Sequence, residues 1–266
     1  MKRSLLVLSL LAAASSSACQ VADVQVTPGV AWSSLDGNVA GESVVAAEEL
    51  LGSTLDELGV GARQSIAQVG VRLTGGDAHF DLFAQRADFS GIGGLGADLT
   101  LDDVTLDSNE GDVSTDLQMG IYGLRWLKPV SSQGQLHVSL GASLFIADLD
   151  LEFQQVEEIG GYETGEVNST KREGILPIPL PVLDLVYEHE DFDAHFLLSG
   201  MKVWSSEADG HVVDLDFSLS FPVLDDLGEL VVGYRELELE LEYSGEHRAE
   251  IDVSFNGPYL GYRMSF

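Results

Sequence analysis

Basic residues are scarce in this chain. Its 266 residues include 13 Lys and Arg against 44 Asp and Glu, which gives a formal charge of −31. Binding of an anionic partner requires clustered Lys and Arg side chains. The excess of acidic residues therefore excludes nucleic acid as a partner. Divalent cations at the acidic segments are the expected counterions.

Cysteine is nearly absent as well. Cys19 is the only one, which excludes an internal disulfide. It follows two basic residues, an apolar run and the small-residue segment "SSSA", the order of a secretory signal peptide. We therefore assign residues 1–18 to a signal peptide and 19–266 to the mature domain. Cys19 is a candidate for lipidation after cleavage, and ordinary cleavage after Ala18 is the alternative.

Long apolar runs are also missing. No stretch reaches the roughly 18 uninterrupted apolar residues that a membrane-spanning helix needs. Segments such as "VDLDF" at 213–217 instead alternate apolar with polar residues, the period of a strand with one apolar face. If the protein enters a membrane, it does so as strands.

The alternating segments predict an all-β protein with about ten strands. We expect them at 24–35, 64–73, 78–89, 113–127, 136–151, 179–188, 194–204, 212–221, 230–243 and 251–266. Short connections alternate with long acidic ones at 37–63, 90–112 and 152–174. This asymmetry is typical of an antiparallel up-and-down transmembrane barrel with long extracellular loops. Eight strands are the alternative count.

The faces of these strands leave one ambiguity. A soluble periplasmic ligand-binding barrel places its apolar face inside, whereas a membrane barrel places it outside. Strand periodicity alone does not say which face is which. The alternating pattern alone therefore does not distinguish a soluble barrel from a membrane barrel.

The end of the sequence, "YLGYRMSF", resembles the assembly signal of bacterial outer-membrane barrels. The alternating residues that carry the resemblance are Leu260, Tyr262, Met264 and Phe266. The segments "LPIPLPVLDLVYEH" and "GELVVGYRELELELEY" are similar to those of small single-barrel outer-membrane proteins of Gram-negative bacteria. The resemblance implies an outer-membrane location, contact with its lipid, recognition by the barrel assembly machinery and no cofactor. It implies either a structural role or a porin-like role in which small or hydrophobic solutes pass through the protein.

Three prolines of one parity, Pro177, Pro179 and Pro181, lie just before and at the start of the sixth predicted strand. Alternate residues of a strand face the same neighbour, so these prolines remove successive ladder donors from one seam. One interpretation is a lateral opening through which hydrophobic solutes pass. The alternative is that the spanning part of the strand begins after Pro181.

Several polar side chains have the parity of the lumen. They are Arg72, His79, Asp81, His137, His195, Asp214, Asp216 and Arg263. We interpret the three histidines as polar filling, because alternate strands lie about 10 Å apart and a shared metal would need considerable inward reach. We expect the arginines to form salt bridges that obstruct the interior of a ten-stranded barrel.

Four carboxylates, Glu236, Glu238, Glu240 and Glu242, share one face of a strand. They are candidates for cation binding, and a solvated acidic face is the alternative. The change of phase near Arg235 predicts a bulge between Arg235 and Glu236.

The pair His137 and Ser139 resembles the spacing in barrel lipid A deacylases. A lipid-modifying hydrolase would need both side chains to face the membrane, whereas the apolar residues beside them place His137 and Ser139 in the lumen. We therefore expect no enzymatic activity, with the hydrolase as the alternative.

Overall fold

A computed structural model describes residues 23–42, 50–54, 64–94, 99–101, 104–107, 112–159, 162–204, 208–223, 228–244 and 248–266. The proposed signal peptide and Cys19 lie outside the described residues. The strands are β1 Asp23–Glu42, β2 Leu50–Thr54, β3 Gln64–Gly75, β4 Ala78–Gly93, β5 Leu99–Leu101, β6 Val104–Leu106, β7 Val113–Gln133, β8 Leu136–Ile159, β9 Tyr162–Glu188, β10 Asp193–Trp204, β11 Ala208–Val223, β12 Gly228–Ser244 and β13 Arg248–Ser265.

Ten of these strands form a closed antiparallel barrel. Its order around the wall is β1, β3, β4, β7, β8, β9, β10, β11, β12 and β13, and β13 pairs with β1 to close the ring. The backbones of Val24 and Phe266 exchange hydrogen bonds of 2.9 and 3.3 Å at this closure. The prediction of an all-β, ten-stranded, up-and-down barrel is confirmed.

Tight turns gather at one end of the barrel. Gly76 and Gly134 take positive φ of 59° and 61° in the turns after β3 and β7, a conformation that favours glycine. Residues 189–192 connect β9 to β10 at the same end. At the other end β2 pairs with β1, and β5 and β6 form a separate hairpin.

The strands β8 and β9 extend well beyond the predicted ones. Residues 152–174, expected as a loop, pair across these two strands as far as Ile159 and Tyr162. The reason is that their acidic and polar side chains suit a strand in water as well as a loop. The prolines of β9 therefore lie inside the strand rather than at its start.

The barrel wall has two storeys. In the lower storey, beside the tight turns, outward side chains are apolar and exposed, as at Trp32, Val69, Leu144, Phe217 and Leu260. Three to six outward positions per strand are apolar. A mean of four to five, at about 3.3 Å per residue and a tilt near 40°, gives an apolar band about 20–25 Å tall. That height matches the lipid-facing band of a transmembrane barrel. Apolar exposure of this extent rules out the soluble barrel with an apolar lumen.

In the upper storey the chemistry of the two faces is exchanged, with apolar side chains inside and acidic side chains outside. Its inward side chains form an apolar core that includes Leu35, Phe89, Phe145, Leu239 and Phe255. Its outward side chains are exposed acids, among them Asp36, Asp88, Asp116, Glu236, Glu238 and Glu240. This part of the barrel projects above the membrane and packs like a soluble protein.

The exchange of faces requires no bulge on β12, so the predicted bulge is wrong. Arg235 and Glu236 pair with Asp216 and Leu215 of β11 in continuous register, and the ladder to β13 is continuous as well. The alternation of side chains runs straight through, and only the chemistry on each face changes. Across the described ranges we find no helix that is long and apolar enough to span a membrane.

Candidate functional site

A buried ionic cluster lies at the boundary between the two storeys. Asp214 on β11 accepts hydrogen bonds from Arg235 at 2.8 and 3.0 Å and from Arg125 at 2.9 Å. All three side chains are at least 90% buried. Arg125 belongs to β7, which three strands separate from β11 on the nearer side of the wall. The Arg125–Asp214 bond therefore spans the lumen.

Phe83 supports this cluster from β4. The guanidinium carbons of Arg125 and Arg235 lie 4.3 and 4.2 Å from the centre of its ring, a cation–π distance. The ring lies over Gly123 of β7, where any Cβ would overlap it. Gly123 thus provides the room that lets Phe83 point inward beneath the two arginines.

A second ion pair lies on the adjoining wall. Arg72 of β3 donates two hydrogen bonds of 2.7 Å to Asp81 of β4, in the fork-to-fork geometry of strong Arg–carboxylate pairs. In the ladder, Asp81 is also the partner of Arg125. Opposite charges therefore alternate along one row of the lumen wall.

Two of the three predicted histidines, His79 and His195, meet at the carboxylate of Asp184, and the third lies apart from them. His195 donates a hydrogen bond from Nε2 to Oδ1 of Asp184, which is 1% exposed. His79 Nε2 lies 3.5 Å from Oδ2 of the same carboxylate. His137 lies at the rim instead, where its ring is 3.0 Å from Ser132 Oγ and 3.3 Å from Glu188 Oε2.

Neither contact of His137 is with Ser139, the residue that a His–Ser hydrolase pair would use as its nucleophile. Both residues face the lumen side of β8, and Ser139 is 5% exposed. The absence of enzymatic activity stays a prediction.

The remaining polar residues of the prediction bind neighbours near the same space. Asp216 accepts a hydrogen bond of 2.7 Å from Tyr259, and Arg263 donates one of 2.8 Å to Glu229. A cavity of about 140 Å³ lies among these groups, with Gln25 and Gln68 on its wall. The polar side chains on its wall and its size suit a few water molecules.

The top of the lumen is crossed by the β5–β6 hairpin. This hairpin contacts β1 on one side and β9 on the other, and these two strands are opposite each other in the ring. Leu106 is fully buried in the apolar core. Gln155 of β8 fixes the chain after the hairpin, because its side-chain amide exchanges hydrogen bonds of 3.0 and 2.8 Å with the backbone of Asp107. The axis is thus closed above by apolar packing and below by ion pairs.

Two neighbouring pairs of described strands lose their ladder part-way. The β3–β4 ladder stops at Gln68 and Gln85, although both strands continue. The longer gap lies between β9 and β10. Their pairing begins at Glu188 and Asp193 and stops at Val182 and Ser199. Above that point β9 continues to pair with β8, and β10 with β11. We call the unpaired edges, residues 162–181 of β9 and 200–204 of β10, the seam.

The predicted prolines lie at the lower end of the seam. The ladder to β8 runs unbroken through Pro177, Pro179 and Pro181, which pair with Ile146, Leu144 and Ala142. The missing N–H donors are therefore on the side of β10, where the ladder is lost. Pro181 is the fourth outward position from the lower end of β9, so the seam begins within the upper part of the apolar band.

Apolar side chains line the lumen side of the seam. On β9, Ile178, Leu180 and Val182 are 2–3% exposed, and on β10 Leu197 is fully buried and Met201 packs against the apolar core. The three prolines themselves are exposed on the outer face. An opening at this place would connect the lipid with an apolar interior.

The candidate cation-binding residues occupy the outer face of the upper storey. Glu236, Glu238 and Glu240 are exposed, and His211 of β11 lies 3.9 Å from Glu238 and 3.3 Å from Glu240. The side chain of Glu242 is outside the described part of the structure. No group of three or more potential metal ligands is arranged to hold an ion in the described residues.

The proposed assembly-signal residues lie on β13 and directly after it. Leu260, Tyr262, Met264 and Phe266 share its outward face, and Phe266 is 76% exposed. In a membrane barrel that face meets lipid.

Two members of the ionic network, Arg235 and Tyr259, were not predicted as lumen residues. Parity left the face of Arg125 ambiguous, and Asp184 was a carboxylate that either a polar lumen or a soluble barrel's outer face would tolerate. The phase of β7 was ambiguous because its register against β8 shifts between Pro129 and Ser131, which makes Val130 an extra residue. Asp184 follows the proline run with inward parity. Arginine is rare in this acidic chain. An arginine in the middle of a predicted strand was therefore the sequence feature that could have identified Arg125 and Arg235 as lumen residues.

Comparisons with known proteins agree with this architecture. No family model and no curated protein matches the chain. Among solved structures, the Escherichia coli outer membrane protease OmpT aligns with a TM-score of 0.60 at 7% identity, covering 94% of this chain and 99% of that one. The chain has the fold of an outer-membrane β-barrel. At this identity the likeness shows the fold and carries no activity with it.

Two other solved barrels align over most of their length. Neisserial surface protein A gives a TM-score of 0.35 at 10% identity, covering 91% of this chain and 97% of that one. The Pseudomonas putida toluene transporter TodX gives 0.37 at 8% identity, with 92% and 90% covered.

Proposed function

We propose that this protein is a bacterial outer-membrane barrel that admits small hydrophobic solutes laterally, through the seam between β9 and β10. The observation that carries the proposal is the end of the β9–β10 ladder at Val182 and Ser199, inside the apolar band. Unpaired backbone in hydrocarbon costs several kcal/mol per group. The prolines of β9 supply no N–H groups toward β10, so this gap, unlike the one between β3 and β4, cannot close by donation from β9.

The two closures of the axis support this route. The apolar core fills the upper lumen, and the Arg125–Asp214 contact crosses the lower lumen. An apolar solute that entered along the axis would have to displace one of them. At the seam it meets Ile178 and Leu180, which are apolar on the lumen side.

The test is to seal the seam with a reversible crosslink. In a Cys19→Ser background, Pro181→Cys and Gly200→Cys place thiols at the first two positions above the last ladder pair. We expect oxidation to slow the uptake of N-phenylnaphthylamine into cells that carry the protein, and reductant to restore it. Replacing the three prolines by Val restores ladder donors, so this variant should slow uptake permanently.

A matched control is available one step below the seam. Leu198 and Leu183 are outward partners in the intact part of the same ladder, so Leu198→Cys with Leu183→Cys adds a crosslink without closing anything. Its oxidation should leave uptake unchanged. Equal uptake with and without the protein, or uptake that sealing does not alter, would contradict the lateral route and leave a structural barrel.

A further inference from the structure

We propose that the seam takes single-chain amphiphiles with an anionic headgroup, and that Lys202 is the ligand of that headgroup. This inference rests on the lateral route proposed above and names the class of solute.

The position of Lys202 supports an interfacial role. Continuing the register beyond Ser199 and Val182 would place Lys202 opposite Pro179, on the outward face. It is the fifth outward position from the lower end of β10, where the apolar band meets water. A lysine at that height extends its ammonium group to the membrane surface while its stem remains among apolar groups.

The ammonium group is accessible. The Lys202 side chain is 65% exposed, and its contact with Asp209 is at the 4.0 Å limit of an ion pair. Across the seam, the outward residues of β9 at this height are prolines, which offer no competing charge. A headgroup anion at the mouth of the seam would therefore meet one cation and no fixed acid from β9.

The apolar part of the ligand follows from the lining. Ile178, Leu180 and Met201 make the inner side apolar above the small buried hydroxyl of Ser199, and none of the three offers a polar group to match a second headgroup. Neighbouring strands of a sheet lie about 4.8 Å apart with no space between them. Edges that separate by one further strand width therefore admit a single acyl chain, which is about as thick, and not several side by side. A single-chain carboxylate thus suits an opening between two neighbouring strands, whereas a multichain lipid does not.

General electrostatics would produce the opposite preference. The chain has a formal charge of −31, and the outer face just above the band carries exposed acids such as Glu236 and Glu238. A nonspecific field would repel an anionic amphiphile relative to a neutral one. A preference for the anion must therefore come from a local cation.

The experiment compares two probes of equal chain length, spin-labelled stearic acid and spin-labelled stearyl alcohol, with the full-length protein in phosphatidylcholine liposomes. Paramagnetic resonance measures the protein-associated fraction of each probe. We expect the anion to associate about fivefold more strongly at about pH 9, where the probe's carboxyl group is ionised in the bilayer and lysine is still charged. This is the size of effect typical of one lysine near a membrane surface. Lys202→Gln should abolish this preference, and Lys128→Gln, an exposed outward lysine on β7, should preserve it.

The controls separate this inference from the lateral route. If the sealed seam variant loses both probes but Lys202→Gln keeps the preference, or no preference exists, the headgroup inference is wrong and the lateral route stands. If sealing affects neither probe, the lateral route fails, and a preference that persists without it belongs to the outer surface. Heat-modifiable migration on a gel confirms that each variant is folded.

Discussion

The lower and upper storeys of this barrel use the same backbone with opposite chemistry. Below, Arg125, Asp214 and Arg235 are buried inside a wall whose outer face is apolar. Above, Leu237 and Phe255 are buried inside a wall whose outer face is acidic. The difference shows that the solvent outside each storey, lipid or water, decides which chemistry the lumen can carry. Their boundary falls on the Asp214 cluster.

The largest effect on stability is expected when the ionic cluster of the lower storey is disrupted. Asp214→Asn leaves Arg125 and Arg235 buried without the carboxylate that they share. We expect a loss of about 3–5 kcal/mol in the free energy of unfolding, because an uncompensated buried charge is costly. Chemical unfolding of the protein in lipid vesicles measures it.

The matching control replaces the whole cluster. Arg125→Met, Arg235→Met and Asp214→Leu together remove every charge, and such replacements of buried ion groups are often neutral or stabilising. Recovery of the lost stability in this variant would identify charge, not shape, as the cause. A loss below about 1 kcal/mol for Asp214→Asn alone would show that water reaches the cluster.

The second prediction tests the apolar lumen above. Leu237 is 3% exposed and its neighbour Glu238 points outward from the same strand. We expect Leu237→Ala to cost about 3 kcal/mol through lost burial and a cavity, and Glu238→Ala to change stability by less than about 0.5 kcal/mol. Equal effects in the same unfolding assay would refute the assignment of faces on β12.

These two storeys mark the limit of prediction from sequence. The ten strands, their order and the positions of the tight turns follow from alternation and from turn residues. The exchange of faces does not, because period-2 alternation is identical whether the apolar set points in or out. At Arg235 and Glu236 this exchange resembled a bulge, although the register is continuous.

The pairs within the lumen were harder still to predict. Arg125 meets Asp214 across the barrel, at a separation of 89 residues. Only the closed ring and its register bring them together, and the extra residue Val130 obscured the phase of β7. The sequence could identify polar lumen residues by parity, but not which ones are partners.

A smaller effect is expected at the end of β13, in the lower storey. Phe266 belongs to its outward apolar set and is exposed to the surroundings of the barrel, and its backbone is bonded to Val24 at the closure. We expect Phe266→Asp or deletion of Phe266 to cost about 2 kcal/mol of lipid contact and to impair assembly. The measurement is the heat-modifiable fraction in the membrane. Ser265→Ala is the control, and normal assembly of the Phe266 variants would count against the assembly signal.

The smallest expected effect concerns the acidic face of the upper storey. Glu236, Glu238 and Glu240 repeat on one face of β12, with His211 beside two of them. Because like charges in water repel weakly, Ca²⁺ or Mg²⁺ should relieve the repulsion by weak, distributed binding rather than by filling a site. We expect millimolar Ca²⁺ to raise the melting temperature in detergent by about 1–2 °C relative to chelator.

The variant Glu236→Gln, Glu238→Gln and Glu240→Gln tests where this effect arises. It should melt slightly higher than the parent without Ca²⁺ and respond less when Ca²⁺ is added, since the repulsion that the ion relieves is already reduced. Sodium at equal ionic strength controls for screening, which acts on every exposed charge. The Asp214 cluster is buried, so its contribution to melting should not respond to either salt. Identical melting in chelator and in Ca²⁺ would mean that hydration alone stabilises these neighbouring carboxylates, and that the acidic face binds no cation that affects stability.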